Sequence, residues 1–162
     1  MTIYNLYVFD RNGSLLFYHE WIRRKHTSMS KEEEAKLLYG MLFSLKSFCA
    51  KLSPLDMKQG FSSYKTNLYR LNFYETPSSL KFVLNTDSEA SQQEVFVRLF
   101  LTDYWKLLLS KVRELLSGLY CQVYVEFASK SPMLVPGEII TSNLFRTKLD
   151  QYMRSSVLFK QW

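Results

Sequence analysis

Two histidines, two cysteines and one run of glutamates are the residues of this 162-residue chain with the best claim to chemistry. His19 sits in an extended, apolar stretch and His26 in a basic one, and neither has a Cys, Asp or Glu at the spacing of a metal site. Cys49 and Cys121 form no metal spacing and no disulfide framework. Each lies within an apolar helical pattern, which predicts buried, reduced thiols in a cytosolic protein. Glu32, Glu33 and Glu34 could serve as acid–base groups, but the N-terminus of a helix already accounts for three adjacent carboxylates. Gly13, Gly40, Gly60, Gly118 and Gly137 are too scattered to cradle a phosphate, and none precedes Lys-Ser or Lys-Thr. Catalysis would need a nucleophile and a base to converge from distant parts of the chain. The residues predict a protein that is not an enzyme and holds no cofactor or metal.

Charge leaves a binding role open. The net charge of +6 and a pI near 9.3 admit an acidic partner, nucleic acid or an anionic membrane surface. The basic residues are scattered, however, and the one dense run, Arg23-Arg24-Lys25-His26, reads as a solvated loop. Tyr64, Lys65, Tyr69 and Arg70 come nearest to a base-stacking surface, which makes a small basic RNA-binding domain the weaker alternative. Asp10 cuts short the apolar N-terminus, which has no basic flank and is not read as a signal peptide. No segment approaches the roughly 20 apolar residues of a membrane span.

The elements that must position these residues fit one α+β domain over 1–162. Ile3 to Phe9 is apolar on both alternating faces apart from Asn5, as a strand covered on both sides should be, and is expected in the middle of the sheet. Asn12-Gly13 predicts a type I′ hairpin leading into a second strand, Ser14 to Trp21. The stretch from Ser30 to Leu52 predicts a long helix with a capping box, Ser30 and Glu33, and a stop at Ser53-Pro54. Its core stripe is Leu38, Met41, Leu42, Leu45, Phe48, Cys49 and Leu52. Three strands follow, Phe61–Lys65, Tyr69–Thr76 and Leu80–Thr86. Val112, Leu115, Leu116, Leu119, Tyr120, Val123 and Phe127 form a second helical stripe. Phe145, Leu149, Tyr152 and Met153 form a third, with Ser142 as its cap.

The segments NLYVFDRNG, EEEAKLLYGMLFSLKSF, KLSPLDMKQGF, LNFYETPSSLKFVLNTD and LFRTKLDQYMRS together resemble the longin-type (SNARE-like) core subunits of the TRAPP vesicle-tethering complex. The resemblance spans about 1–88 and 111–156. It implies a longin fold, a five-stranded antiparallel sheet with one helix on one face and two on the other. It also implies a subunit without an active site or cofactor, which pairs with a second longin subunit and docks onto non-longin core subunits. The assembled core would act as a guanine nucleotide exchange factor for the Rab GTPase of endoplasmic-reticulum-to-Golgi transport. Its place would be cytoplasmic, peripherally associated with endoplasmic reticulum and cis-Golgi membranes through the complex, with no direct nucleic acid contact. A SNARE-like longin module of another trafficking complex is the alternative, but a SNARE needs a long heptad segment that is not found before Trp162.

Two expectations are specific to this chain. Phe43 stands about 140° from the core stripe of the first helix, on the side of Lys36, Gly40 and Ser47, with Tyr39 at the border. An aromatic among small residues there suits contact with a second backbone, and the resemblance implies that paired subunits use this helix. The residues 89–110 match nothing in the family and carry apolar side chains on more than one helical face, from Val95 to Leu109. They are expected to form a helical insert covered by a partner, by self-association or by the domain itself.

Overall fold

The computed structural model describes residues 1–23, 28–54, 61–88, 104–132, 135, 137–156 and 158, with the backbone alone for 104–108. Five strands form one antiparallel sheet: β1 (Ile3–Phe9), β2 (Leu15–Glu20), β3 (Ser63–Lys65), β4 (Tyr69–Glu75) and β5 (Lys81–Asp87). Their order across the sheet is β2-β1-β5-β4-β3, so β5 is central and β1 lies one place from an edge. Three helices are described: α1 (Lys31–Leu52), α2 (Tyr104–Gly118, continuing as a π-helix over Leu119–Ser129) and α3 (Asn143–Ser155).

Alternation along β1 explains the layering. Leu6 and Val8 enter one buried cluster and Tyr7 and Phe9 the other, because successive side chains leave opposite faces of the pleat. The first cluster holds Phe82 and Leu84 of β5 with Val112, Leu115, Leu116, Leu119 and Val123, and with Phe145, Leu149 and Met153 of α3. The second holds Leu71 of β4 and Val83 of β5 under Ala35 and Leu42 of α1. One helix on one face and two on the other is the arrangement that the longin resemblance implies. Helices over both faces leave no open aromatic platform on the sheet among the described residues, and Tyr69 packs beneath α1 instead.

The capping box of α1 is formed as expected. The Glu33 N–H donates to Ser30 Oγ at 3.2 Å, and the Ser30 N–H donates to the Glu33 carboxylate at 3.1 Å. The core stripe differs. Phe48 and Leu52 are 61% and 65% exposed, and the buried cluster under α1 draws on no residue beyond Leu42. The reason is coverage: among the described residues, Ala35, Leu38, Tyr39, Met41 and Leu42 meet the sheet, and the later turns contribute nothing to the cluster.

The first hairpin also departs from expectation. Asn12 does not take a positive φ; Gly13 alone does, at 91°. The Gly13 N–H donates to Asp10 O at 3.3 Å and the Asp10 N–H to Ser14 O at 3.0 Å, a type I turn followed by a left-handed residue. The Asp10 carboxylate fixes the loop by accepting from the Asn12 and Ser14 N–H groups. The β4–β5 connection repeats this geometry with Ser79 in the left-handed position, φ 64°.

The C-terminal half of the molecule corrects two more readings. Winding with i→i+5 bonds, such as Lys130 N–H to Val125 O at 3.1 Å, takes more residues per turn than the ordinary helix's roughly 3.6. Leu119, Val123 and Ala128 therefore face the core, and Phe127, which a regular helix would bury, is only half-buried. Cys121 is exposed rather than buried, and Cys49 is half-buried; both are free thiols. The expected insert at 89–110 lies outside the described residues as far as 103, and Tyr104 onward belongs to α2.

Candidate partner-binding site

The residues expected to meet a partner lie on one flank of α1. Lys36 and Gly40 are exposed, Phe43 is 68% exposed, and Ser47 is half-buried. A Cβ on Gly40 would meet no atom within 4 Å, so this strip of helix backbone stands open. Tyr39 is turned inward. Its ring packs against Phe9 at 5.5 Å between centroids and lies over Gly13, where a Cβ would stand 2.5 Å from it. Lys81 Nζ lies 5.5 Å from the Tyr39 ring and donates to the carbonyls of Asp10, Arg11 and Ser79. Tyr39 therefore braces α1 on both hairpin loops, and Phe43 is the aromatic of this flank left to solvent.

The sequence reading missed a second apolar flank. At about 100° per residue, Leu37, Phe48 and Leu52 lie on the other side of the core line from Phe43. They are 63%, 61% and 65% exposed. The signal was present but was assigned to the wrong side, because a broad apolar stripe does not say where coverage by the sheet stops.

Charges at the start of α1 are tied down. Lys31 Nζ reaches Glu34 at 3.4 Å and Glu20 at 3.5 Å, and Arg23 reaches the same two carboxylates at 3.8 and 3.4 Å. Tyr7 donates to Glu34 at 2.8 Å and Tyr18 to Glu20 at 2.8 Å. Burial, followed by the Glu34 carboxylate, pushes the Tyr7 phenol well above its ordinary range. Burial works against ionisation of Glu20, but the Tyr18 hydrogen bond and the charges of Lys31 and Arg23 outweigh it and hold the carboxyl below its usual range. Arg23 is thus an ion-pair partner, not part of a solvated loop; Arg24, Lys25 and His26 lie outside the described residues.

His19 acquires a partner that no sequence spacing could reveal. Its Nε2 lies 3.0 Å from Asp150 Oδ1 of α3, and the Trp21 indole N–H donates to the same oxygen at 2.8 Å. Burial first, and then Arg146, lower the His19 pKa from its ordinary value against the pull of Asp150. The arrangement clamps α3 to the edge strand and brings no nucleophile to the imidazole. Among the described residues, no three His, Cys, Asp or Glu side chains gather as metal ligands. No helix there is long and apolar enough to cross a membrane.

Known proteins resemble this chain along most of its length. The model of the Sybindin-like family matches residues 3–110 and 97–156. The chain is 46% identical over 159 residues to trafficking protein particle complex subunit 1 of Rattus norvegicus, covering 98% of this chain and 97% of that protein. The protein of the same name from Dictyostelium discoideum is 33% identical over 159 residues, covering 97% of this chain and 98% of its own. Among solved structures, the gliding protein MglB of Thermus thermophilus matches with a TM-score of 0.40 at 18% identity, over 59% of this chain and 68% of that one.

Proposed function

Because the chain belongs to the Sybindin-like family, we propose that it is a non-catalytic core subunit of the TRAPP vesicle-tethering complex. The observation that carries this reading is the relation to trafficking protein particle complex subunit 1, which extends over 98% of this chain and 97% of the Rattus norvegicus protein. In this reading α1 pairs with a second longin subunit through Lys36, Gly40, Phe43 and Ser47, with Tyr39 holding the helix in place from beneath. An aromatic at 68% exposure beside an open helix backbone supports it, because close helix approach needs small residues next to a large apolar one.

Non-longin core subunits complete the assembly. The assembled core then exchanges guanine nucleotide on the Rab GTPase of endoplasmic-reticulum-to-Golgi transport, and the chain reaches endoplasmic reticulum and cis-Golgi membranes only through the complex. A single longin-like domain over 1–162 is part of this reading, and the family matches, 3–110 and 97–156, run through residues 89–110 rather than around them. The test is co-purification of the tagged full chain from cytosol. Recovery of other TRAPP core subunits in stoichiometric yield is expected; recovery of the chain alone, or with RNA, would overturn the reading.

A further inference from the structure

The line of α1 that carries Phe43 runs into a hollow. Glu32, Lys36, Gly40, Phe43 and Ser47 follow one another at helical steps of three or four, so they share one side of the helix. At the N-terminal end of that line, a hollow of about 320 Å³ opens between α1 and the first hairpin. Leu15, Ala35 and Ile139 give it apolar walls, and Glu32 and Lys36 also line it. Lys36 thus belongs both to the hollow and to the partner face, and the two surfaces are continuous. The walls are set in place beforehand. The Asp10 carboxylate fixes the hairpin loop, and the Ile140 N–H donates to Leu16 O at 2.7 Å, tying the backbone beside Ile139 to the edge strand. Ile139 itself is 54% exposed. An aliphatic side chain held beside a hollow loses little freedom on being covered, so its burial counts towards binding.

Two charges narrow the chemistry of what covers it. Glu33 is engaged in the capping box and Glu34 with Lys31 and Arg23. Glu32 and Lys36 are exposed, and neither makes an ion pair or a side-chain hydrogen bond among the described residues. They stand about 6 Å apart along the axis, one turn from each other. A uniformly acidic surface would be repelled by Glu32 and a uniformly basic one by Lys36. A helix bearing a base and an acid one turn apart, with an apolar residue between them, matches both charges and the hollow. The open backbone at Gly40, one turn further on, leaves room for such a helix to lie close. We propose that the hollow receives an apolar side chain from a helix of the second longin subunit, flanked there by a basic residue facing Glu32 and an acidic one facing Lys36. This assignment rests on the pairing of α1 with a second longin subunit and names where the register of that pairing is set.

The test titrates the purified second longin subunit, as recovered with the tagged chain, into full-length variants of this protein. Ile139→Ser should weaken binding roughly tenfold, as expected for an apolar anchor beside a filled hollow. Ser14→Phe, which fills the hollow from the hairpin side, should weaken it by a similar factor. Both residues are exposed, so the thermal midpoint of each isolated variant should match that of the native chain, and Ser14→Phe decides the matter if Ile139→Ser does not fold. Exchanging the two charges, Glu32→Lys with Lys36→Glu, keeps the net charge and should also weaken binding, by a factor that shrinks as salt is raised. Native affinity in Ile139→Ser and Ser14→Phe, with binding lost in Phe43→Glu, would overturn the hollow and leave the pairing of α1 standing. Native affinity in all three variants, or no binding by the native chain, would overturn both.

Discussion

The phenol oxygen of Tyr152 in α3 stands directly over Gly118 in α2 and donates a hydrogen bond to Leu115 O at 3.1 Å. Gly118 is the last residue before the winding of that helix widens. A methyl group there would overlap the phenol oxygen, so the glycine admits the contact that locks α3 against α2.

Gly118→Ala should therefore destabilise the protein by about 1–3 kcal/mol through overpacking, despite the better helix propensity of alanine. Tyr152→Phe should cost about 1 kcal/mol for the lost hydrogen bond. In the double mutant the clash is relieved, and Gly118→Ala should become neutral or stabilising. Denaturant unfolding of the four proteins measures this coupling. Additive effects would show that the two residues do not sense each other.

Leu42 and Phe48 separate the covered from the uncovered part of α1. Leu42 is 3% exposed, and Leu42→Ala should cost roughly 2–5 kcal/mol. Phe48 is 61% exposed, and Phe48→Ala should stay within about 0.5 kcal/mol. Thermal melts of the two single mutants check the contrast.

The two hairpin loops differ in the residue placed at their left-handed position. Ser79→Gly should stabilise by about 1 kcal/mol, since an L side chain is strained there. Gly13→Ala should cost more than about 1 kcal/mol, because strain is joined by contact with the Tyr39 ring. Equal melting temperatures for both variants and the native chain would refute this account of the loops.

On the proposed partner face, Phe43→Glu should leave the melting temperature of the isolated chain unchanged and reduce pairing with the second longin subunit. Gly40→Leu should do the same by blocking backbone approach, since the site is open in the free chain. Lys36→Glu is the milder control, a rim charge that alters association rate more than affinity. Undiminished co-purification of the Phe43 variant would remove α1 from the interface.

His19 makes the stability of the α3 clamp depend on pH. Its folded pKa lies below the ordinary value of 6.5, so the unfolded chain takes up the proton first as pH falls. Stability should decline from about pH 6.5 downwards, until the folded histidine is protonated too. His19→Gln should flatten the unfolding free energy across that window. A stability that instead rises on acidification would mean that Asp150 dominates the pairing.

Much of this was readable from residue types. The two-sided apolar pattern of Ile3–Phe9, the Ser30–Glu33 box and the Ser142 cap are local signals, and each formed as expected. The misreadings share a cause. Whether Phe48 and Leu52 are covered depends on where the sheet ends, and the exposure of Cys121 and the choice between Phe127 and Ala128 depend on how the helix winds. The clamp from His19 to Asp150 joins residues with no common local pattern. The hydrogen bond from Asn85 to Asn5 likewise exists only once β1 and β5 are paired.

Asn72 carries one more consequence. It is 3% exposed, and its amide donates to Leu84 O and Thr86 Oγ1 of the central strand, both at 3.2 Å. The strand that bears it reads YRLNFYE, with large side chains on both faces, so hydrophobicity alone would tolerate a slip of β4 against β5. A slipped alignment would carry the amide away from both acceptors. In the observed alignment the Asn72 amino group is satisfied while its carbonyl oxygen is buried without a partner among the described residues, so a slip that orphans the amino group as well adds about 1–3 kcal/mol to the wrong alignments. One asparagine should thus disfavour slipped pairings of β4, and replacing it with leucine should yield a chain no less stable but slower to settle on a single register, as refolding kinetics would show.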